Sequence, residues 1–128
     1  MERVRGIGGI FFKARDPAAL GAWYRDHLGV DVDPTWGGCA FTWRDHDTGS
    51  APASTIWSPF KEDTTYFAPS TASFMVNFRV DDLDAMLAQL RAAGCDVDER
   101  VERSEFGAFG WVMDPEGNRV ELWQPPEG

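Results

Sequence analysis

At 128 residues, the chain is long enough for one domain with a hydrophobic core. Its net charge of −9 argues against a nucleic-acid partner, because phosphate backbones are bound by clustered Lys and Arg. The sequence contains no signal-peptide pattern and no apolar run of membrane-spanning length. We therefore expect a cytoplasmic protein with no membrane partner.

The first half of the chain is predicted to form a strand, a helix and three more strands. An apolar run over residues 7–14 predicts the first strand, and Asp16 followed by proline predicts the start of a helix. Gly29 is expected to end that helix in a left-handed conformation. The three further strands are expected at residues 30–33, 38–44 and 54–58. A turn-rich loop over residues 45–52 would join the last two.

The second half follows the same plan after a predicted linker over residues 59–73, which contains two prolines and many Ser and Thr. A strand at residues 73–80 leads into a helix with an apolar stripe, which Gly94 ends. Three further strands are expected at residues 96–102, 106–113 and 119–123. Residues 114–117, Asp-Pro-Glu-Gly, are typical of a type I turn between the last two.

The two halves repeat each other at an offset of about 66 residues. The distance from Gly9 to Met75 equals that from Thr55 to Glu121, so the offset holds at both ends of the repeat. A period present only twice indicates two fused copies of one module rather than a solenoid. We predict one α+β domain, with modules at about 5–58 and 74–124. Its mixed sheet would carry helices on one face and leave the other face free to form a cleft.

This organisation resembles the vicinal-oxygen-chelate superfamily, which includes glyoxalase I, bleomycin-resistance proteins, extradiol dioxygenases and fosfomycin-resistance transferases. The resemblance is carried by residues 16–29, 80–94 and 114–123, and it extends over nearly the whole chain. It implies two tandem βαβββ modules that form a curved mixed sheet around a cleft. It implies no single reaction, because the superfamily includes unrelated enzymes and pure binding proteins.

The resemblance also implies where a metal would be held. Metal-using members place ligands on the first and last strands of each module, and the matching positions here are Gly9, Thr55, Met75 and Glu121. Glycine has no side chain, a thioether is a poor ligand for hard cations and threonine is a weak one. We therefore predict no cofactor and no standard metal site. If a divalent metal binds at all, Glu121 is its expected ligand.

Strand alternation predicts which side chains face the cleft. On the last strand Leu122 is expected to pack against a helix, and by the repeat Ile56 would do the same, which turns Thr55 toward the cleft. The predicted ligand-binding side chains are Phe11, Trp57, Met75, Asn77, Arg79 and Trp123. Aromatic and apolar walls with few polar groups are typical of a small-molecule pocket, so the expected ligand is small and planar or aromatic.

Glu121 has two interpretations at this stage. It could form a structural ion pair with Arg119 or Arg79, or it could act as an acid–base catalyst whose pKa is raised by an aromatic pocket. His27 lies at a helix end and His46 in a loop, and both are interpreted as structural or exposed residues.

Two functions therefore remain open. The first is a metal-independent protein of the bleomycin-resistance type that sequesters a flat molecule. The second is a lyase, isomerase or dioxygenase-like enzyme that uses Glu121 as acid–base catalyst or as a single remaining metal ligand. In either case, six tryptophans are more aromatic area than one small core readily hides, so we expect a homodimer. The sequence leaves open whether the modules pair within one chain or between chains.

Overall fold

The computed structural model describes residues 1–44 and 52–126. Their helices and strands, in chain order, are β1 (Gly6–Ala14), α1 (Pro17–Leu28), β2 (Cys39–Arg44), β3 (Pro52–Lys61), β4 (Phe74–Arg79), α2 (Leu83–Ala92), β5 (Asp96–Val97), β6 (Glu102–Ser104), β7 (Gly107–Met113) and β8 (Arg119–Gln124). Most of the predicted 45–52 loop, including His46, lies outside the described residues. Within the described residues no helix is long and apolar enough to cross a membrane.

Both helices begin and end where the sequence predicts. The Asp16 side chain accepts a hydrogen bond from the amide three residues later, at 3.1 Å, and Asp82 does the same for α2 at 3.0 Å. Gly29 adopts a φ of 70° directly after α1, and Gly94 adopts a φ of 81° two residues after α2. These left-handed positions end the two helices, as predicted.

The strands form one mixed sheet in the order β2-β3-β1-β4-β8-β7-β5, with β6 also paired to β7. β1 runs parallel to β3, and β4 runs parallel to β8. The two halves meet at the antiparallel pair β1–β4. The two helices pack on the same face of the sheet, and the main core lies between α2 and that face. The predicted α+β fold class is confirmed. We call the other face the open face.

Two of the predicted strands are wrong. Residues 30–33 are not a strand, because the Asp33 carboxylate accepts from the Thr35 amide at 2.8 Å and turns the chain there. The single strand predicted at 96–102 is divided into β5 and β6. Asp98 accepts from the Arg100 amide at 2.9 Å, and this local turn separates the two strands.

The predicted linker is only partly a connection. β3 continues to Lys61, and the chain then folds back over the open face. Tyr66 stacks on Phe60 with 5.7 Å between ring centroids, and Phe67 is fully buried. The resulting cluster, which we call the open-face core, is made by Phe11, Phe60, Tyr66, Phe67, Met75 and Trp111. Part of the expected cleft is therefore filled by the protein's own side chains.

Candidate functional site

Four residues lie side by side across the middle of the open face. Ile56 on β3 is in register with Gly9 on β1, Gly9 with Asn77 on β4, and Asn77 with Glu121 on β8. We call this set the central row. The positions that match metal ligands in the sequence are Gly9, Thr55, Met75 and Glu121. Gly9 and Glu121 do lie in the central row, but Ile56 and Asn77 take the places expected for Thr55 and Met75. The strand register accounts for both differences.

The register of the parallel strand pairs differs between the two halves. Gly9 lies beside Ile56, 47 residues later, whereas Asn77 lies beside Glu121, 44 residues later. The difference of three is odd, and an odd shift moves a strand's side chains to the opposite face. The expectation that Thr55 and Trp57 face the cleft while Ile56 packs against a helix is therefore wrong.

Trp57 instead lies on the helix face. Its ring centroid is 4.7 Å from that of Tyr24 on α1 and 5.3 Å from that of Phe12 on β1. Thr55 donates its hydroxyl to the Ile7 backbone carbonyl and accepts from the indole of Trp43 at 2.8 Å. Both side chains are thus engaged in holding the β3 side of the sheet together.

The central row does not fit a divalent metal. Ile56 and Gly9 supply no donor atom, and a catalytic metal needs about three protein ligands. The Glu121 carboxylate already accepts from Asn77 Nδ2 at 2.7 Å, from Trp111 Nε1 at 2.9 Å and from the Tyr66 hydroxyl. Across residues 1–44 and 52–126, no group of three His, Cys, Asp or Glu side chains is placed to hold a metal.

Burial dominates the electrostatics of Glu121, whose side chain is only 1% exposed. Burial raises the pKa of Glu121 above its ordinary value, while hydrogen bonds from Tyr66, Asn77 and Trp111 and the charge of Arg119 oppose the rise. The pKa of Tyr66 is raised strongly, first by burial and then by the neighbouring carboxylate.

Arg119, one expected ion-pair partner of Glu121, is engaged elsewhere. Its guanidinium donates to the Tyr66 backbone carbonyl, lies over the Trp111 ring at 4.7 Å and approaches the Asp98 carboxylate at 3.4 Å. The described hydrogen-bond donors to Glu121 are therefore neutral side chains. The positive charge of Arg119 lowers the pKa of Glu121 electrostatically.

An apolar pocket of about 370 Å³ opens on the open face next to Asn77. Phe109 on β7 and Trp123 on β8 are paired in register, and their rings lie nearly parallel, at 9°, with centroids 6.1 Å apart. The indole N–H of Trp123 is already bonded to the Phe106 carbonyl at 2.8 Å. Besides Asn77, the lining residues are Gly8, Phe11, Ile56, Phe106, Phe109 and Trp123.

The predicted ligand-binding residues occupy different places around this pocket. Phe11, Asn77 and Trp123 line it. Met75 is fully buried in the open-face core. Arg79 lies between the indoles of Trp43 and Trp123, at 5.6 and 5.8 Å from their centroids, and so supports one wall. Trp57, on the helix face, is separated from the pocket by the sheet.

Sequence reasoning missed several side chains of the site. Phe109 could have been found, because the predicted turn at 114–117 brings β7 back beside β8 and places Phe109 opposite Trp123. Tyr66 could not, because no local pattern in the Ser- and Thr-rich segment shows that it reaches Glu121. Ile56 was assigned to the wrong face for the register reason given above.

Comparisons with known proteins agree with this architecture. The sequence profile described as "Glyoxalase-like domain" matches residues 9–123. No curated protein matches the chain in sequence.

Solved structures with the same fold include two methylmalonyl-CoA epimerases. The Streptomyces coelicolor protein has 20% identity and a TM-score of 0.67, over 94% of this chain and 96% of that one. The Mycobacterium tuberculosis protein has 21% identity and a TM-score of 0.60, over 97% and 90%. A glyoxalase/bleomycin resistance protein/dioxygenase superfamily member from Vibrio splendidus 12B01 has 14% identity and a TM-score of 0.58, over 95% and 97%. At these identities the likeness establishes the fold and no activity.

Proposed function

We propose that the chain, which belongs to the glyoxalase-like domain family, binds a small, planar, largely apolar molecule on its open face. The observation that carries this proposal is the pocket of about 370 Å³ beside the parallel rings of Phe109 and Trp123. Its volume and apolar lining are those of small-molecule sites. Stacking on such rings contributes about 0.5–1.5 kcal/mol beyond the burial of area. The proposal requires no metal, cofactor, nucleic acid or membrane.

A wider groove beside α1 is a poorer candidate for such a ligand. It measures about 760 Å³, but its lining includes the charged side chains Lys13, Arg15, Asp16 and Glu62. Binding a flat apolar molecule there would remove water from charged groups without pairing them, which costs free energy. The pocket beside Phe109 carries no such penalty.

Acid–base catalysis by Glu121 is a second candidate function. It is favoured by the burial that raises the pKa of Glu121, and epimerases are among the proteins that share the fold. A general base must lie within hydrogen-bond reach of the proton that it removes. Both Glu121 oxygens instead accept hydrogen bonds from the protein, and the side chain does not line the pocket. Ligand binding is therefore the better-supported function.

Titration with benzothiophene, a planar and apolar bicyclic compound, tests the proposal. We expect saturable binding by isothermal titration calorimetry, and an affinity about tenfold weaker after Phe109→Ala, which removes one ring and its buried area. Phe74→Ala is the matched control, because Phe74 is half-exposed on β4 and alternates with Asn77 onto the opposite face. Absence of saturable binding, or equal losses in both variants, would contradict the proposal.

The catalytic alternative has its own readout. Methylmalonyl-CoA incubated with the protein in D₂O should gain no deuterium at the carbon between its two carbonyl groups beyond the protein-free rate. Enzyme-dependent incorporation that disappears in Glu121→Gln would establish the second candidate instead.

A further inference from the structure

Phe106 is a large apolar side chain that lines the pocket and yet stays mostly in water. It lies in the connection between β6 and β7 and is 66% exposed, more than any other Phe or Trp of the described residues. A single exposed phenylalanine is ordinary on a protein surface. This one differs because a ligand bound beside it would bury the ring, and burial of apolar area is favourable.

The backbone of Phe106 is held on both sides. Its amide donates to the Ser104 hydroxyl at 3.1 Å, which is a local turn. Its carbonyl accepts from the indole N–H of Trp123 at 2.8 Å, which ties the connection to β8. The ring keeps the freedom of its side-chain torsions, and exposed side chains change rotamer within nanoseconds. The ring can therefore move across the pocket while its backbone stays in place.

Gly107 allows this connection to lie against the end of β8. Its φ is 109°, a conformation that other residues rarely adopt. A Cβ atom there would lie 2.2 Å from the Gln124 carbonyl oxygen and 3.1 Å from Trp123 Nε1. The close approach that glycine permits brings the Phe106 carbonyl to Trp123, which itself lines the pocket.

We propose that Phe106 is the movable cover of the pocket. When a planar ligand lies against Phe109 and Trp123, the Phe106 ring turns onto it and shields it from water, and the burial of apolar area stabilises the complex. Trp123 then acts twice, since its ring is a wall and its N–H positions the cover through the Phe106 carbonyl. This inference rests on the binding function proposed for the same pocket.

Truncation of the cover tests its contribution. Calorimetry with benzothiophene should show an affinity about tenfold weaker in Phe106→Ala, and stopped-flow tryptophan fluorescence should assign most of the loss to faster dissociation. Phe106→Tyr keeps the ring and should bind as the wild type does. Phe74→Ala, which removes an exposed ring on the helix face, is the matched control and should leave the affinity unchanged. Because Phe106 is mostly exposed, urea unfolding of Phe106→Ala should stay close to that of the wild type.

A double-mutant cycle tests the part assigned to the Trp123 N–H. Trp123→Phe keeps an aromatic ring on β8 but removes the donor to the Phe106 carbonyl. We expect Trp123→Phe to weaken binding about threefold more in the wild-type background than in Phe106→Ala, which has no cover to position. Should Trp123→Phe fail to fold, Ser104→Ala takes its place in the cycle, because it removes the other backbone tether of Phe106.

The outcomes separate this inference from the proposed function. If benzothiophene does not bind the wild-type protein, the binding function fails and the cover fails with it. If benzothiophene binds, and Phe106→Ala binds it as tightly as Phe74→Ala does, the binding function stands and the cover is overturned. The cover is also overturned if Phe106→Tyr loses as much affinity as Phe106→Ala. Equal effects of Trp123→Phe in the two backgrounds would overturn the positioning by Trp123 and leave its ring as a wall alone.

Discussion

Glu121 connects three strands of the sheet to the segment that follows β3. Its carboxylate accepts from Asn77 on β4, from Trp111 on β7 and from Tyr66 beyond β3. Hydrogen bonds to a charged group contribute about 1.5–3 kcal/mol each, which offsets only part of the cost of burying the carboxylate, since the pKa of Glu121 stays raised. The role that follows is to hold the open-face core together and to orient the Asn77 amide beside the pocket.

Replacement of Glu121 by glutamine should change how stability depends on pH. The folded-state pKa of Glu121 is raised above its unfolded value, so its contribution is fully present below about pH 4.5, the ordinary value, and is lost as pH rises through the folded pKa. Glutamine does not titrate. Between pH 4 and pH 8, the unmodified protein should therefore lose free energy of unfolding relative to Glu121→Gln, by about 1.4 kcal/mol per unit of pKa difference.

Urea unfolding at the two pH values measures this difference. Glu116→Gln, on the exposed turn between β7 and β8, controls for the loss of one surface charge. The prediction is contradicted if the difference in free energy of unfolding between wild type and Glu121→Gln stays constant, or shifts in favour of the wild type as pH rises. The hydrogen-bond donors to Glu121 would then outweigh the effect of burial on its pKa.

At the level of elements, the features that local sequence determines were predictable, and those set by distant pairing were not. The cap at Asp16 and the last hairpin depend on neighbouring residues, and the structure has them as predicted. The faces of β3 depend on which residue of β1 lies beside Ile56, and no local pattern carries that register. The contact of Tyr66 with Glu121, 55 residues away, is likewise non-local. The fold was therefore accessible from sequence, whereas only part of the site was.

Trp57 and Trp123 lie 66 residues apart and so occupy equivalent places in the repeat, but they should respond in opposite ways to truncation. Trp57 packs between α1 and the sheet, so Trp57→Ala should lower the free energy of unfolding by about 2–4 kcal/mol and leave benzothiophene affinity unchanged. Trp123 forms a pocket wall, so Trp123→Ala should weaken binding about tenfold with a smaller loss of stability. Urea unfolding and calorimetry separate the two effects. If Trp57→Ala is as stable as wild type but binds no ligand, the face assignment of β3 is wrong.

At the level of the whole molecule, two exposed aromatic side chains lie at the β2 edge of the sheet. Trp36 just before β2 and Phe41 on β2 are each 48% exposed. Among the described residues β2 is an edge strand of the sheet, so its outer backbone groups are available to pair with another chain. These features support our expectation of a homodimer that covers this edge.

Sedimentation velocity at micromolar concentration tests the dimer. We expect a species of twice the 14.3 kDa chain mass, and a shift toward monomer in Phe41→Glu, which places a charge at the proposed contact. A strictly monomeric wild-type protein would refute the dimer and leave the pocket argument intact.

The most direct test of the binding function is a crystal structure of the protein with benzothiophene at a concentration that saturates binding in solution. The sulfur atom gives an anomalous signal that locates the ligand independently of the ring density. Our account predicts this signal inside the pocket, with the ligand ring in contact with Phe109 and Trp123 and the side chains of the central row unmoved. A sulfur signal found instead in the charged groove beside α1, with the pocket empty, would contradict it.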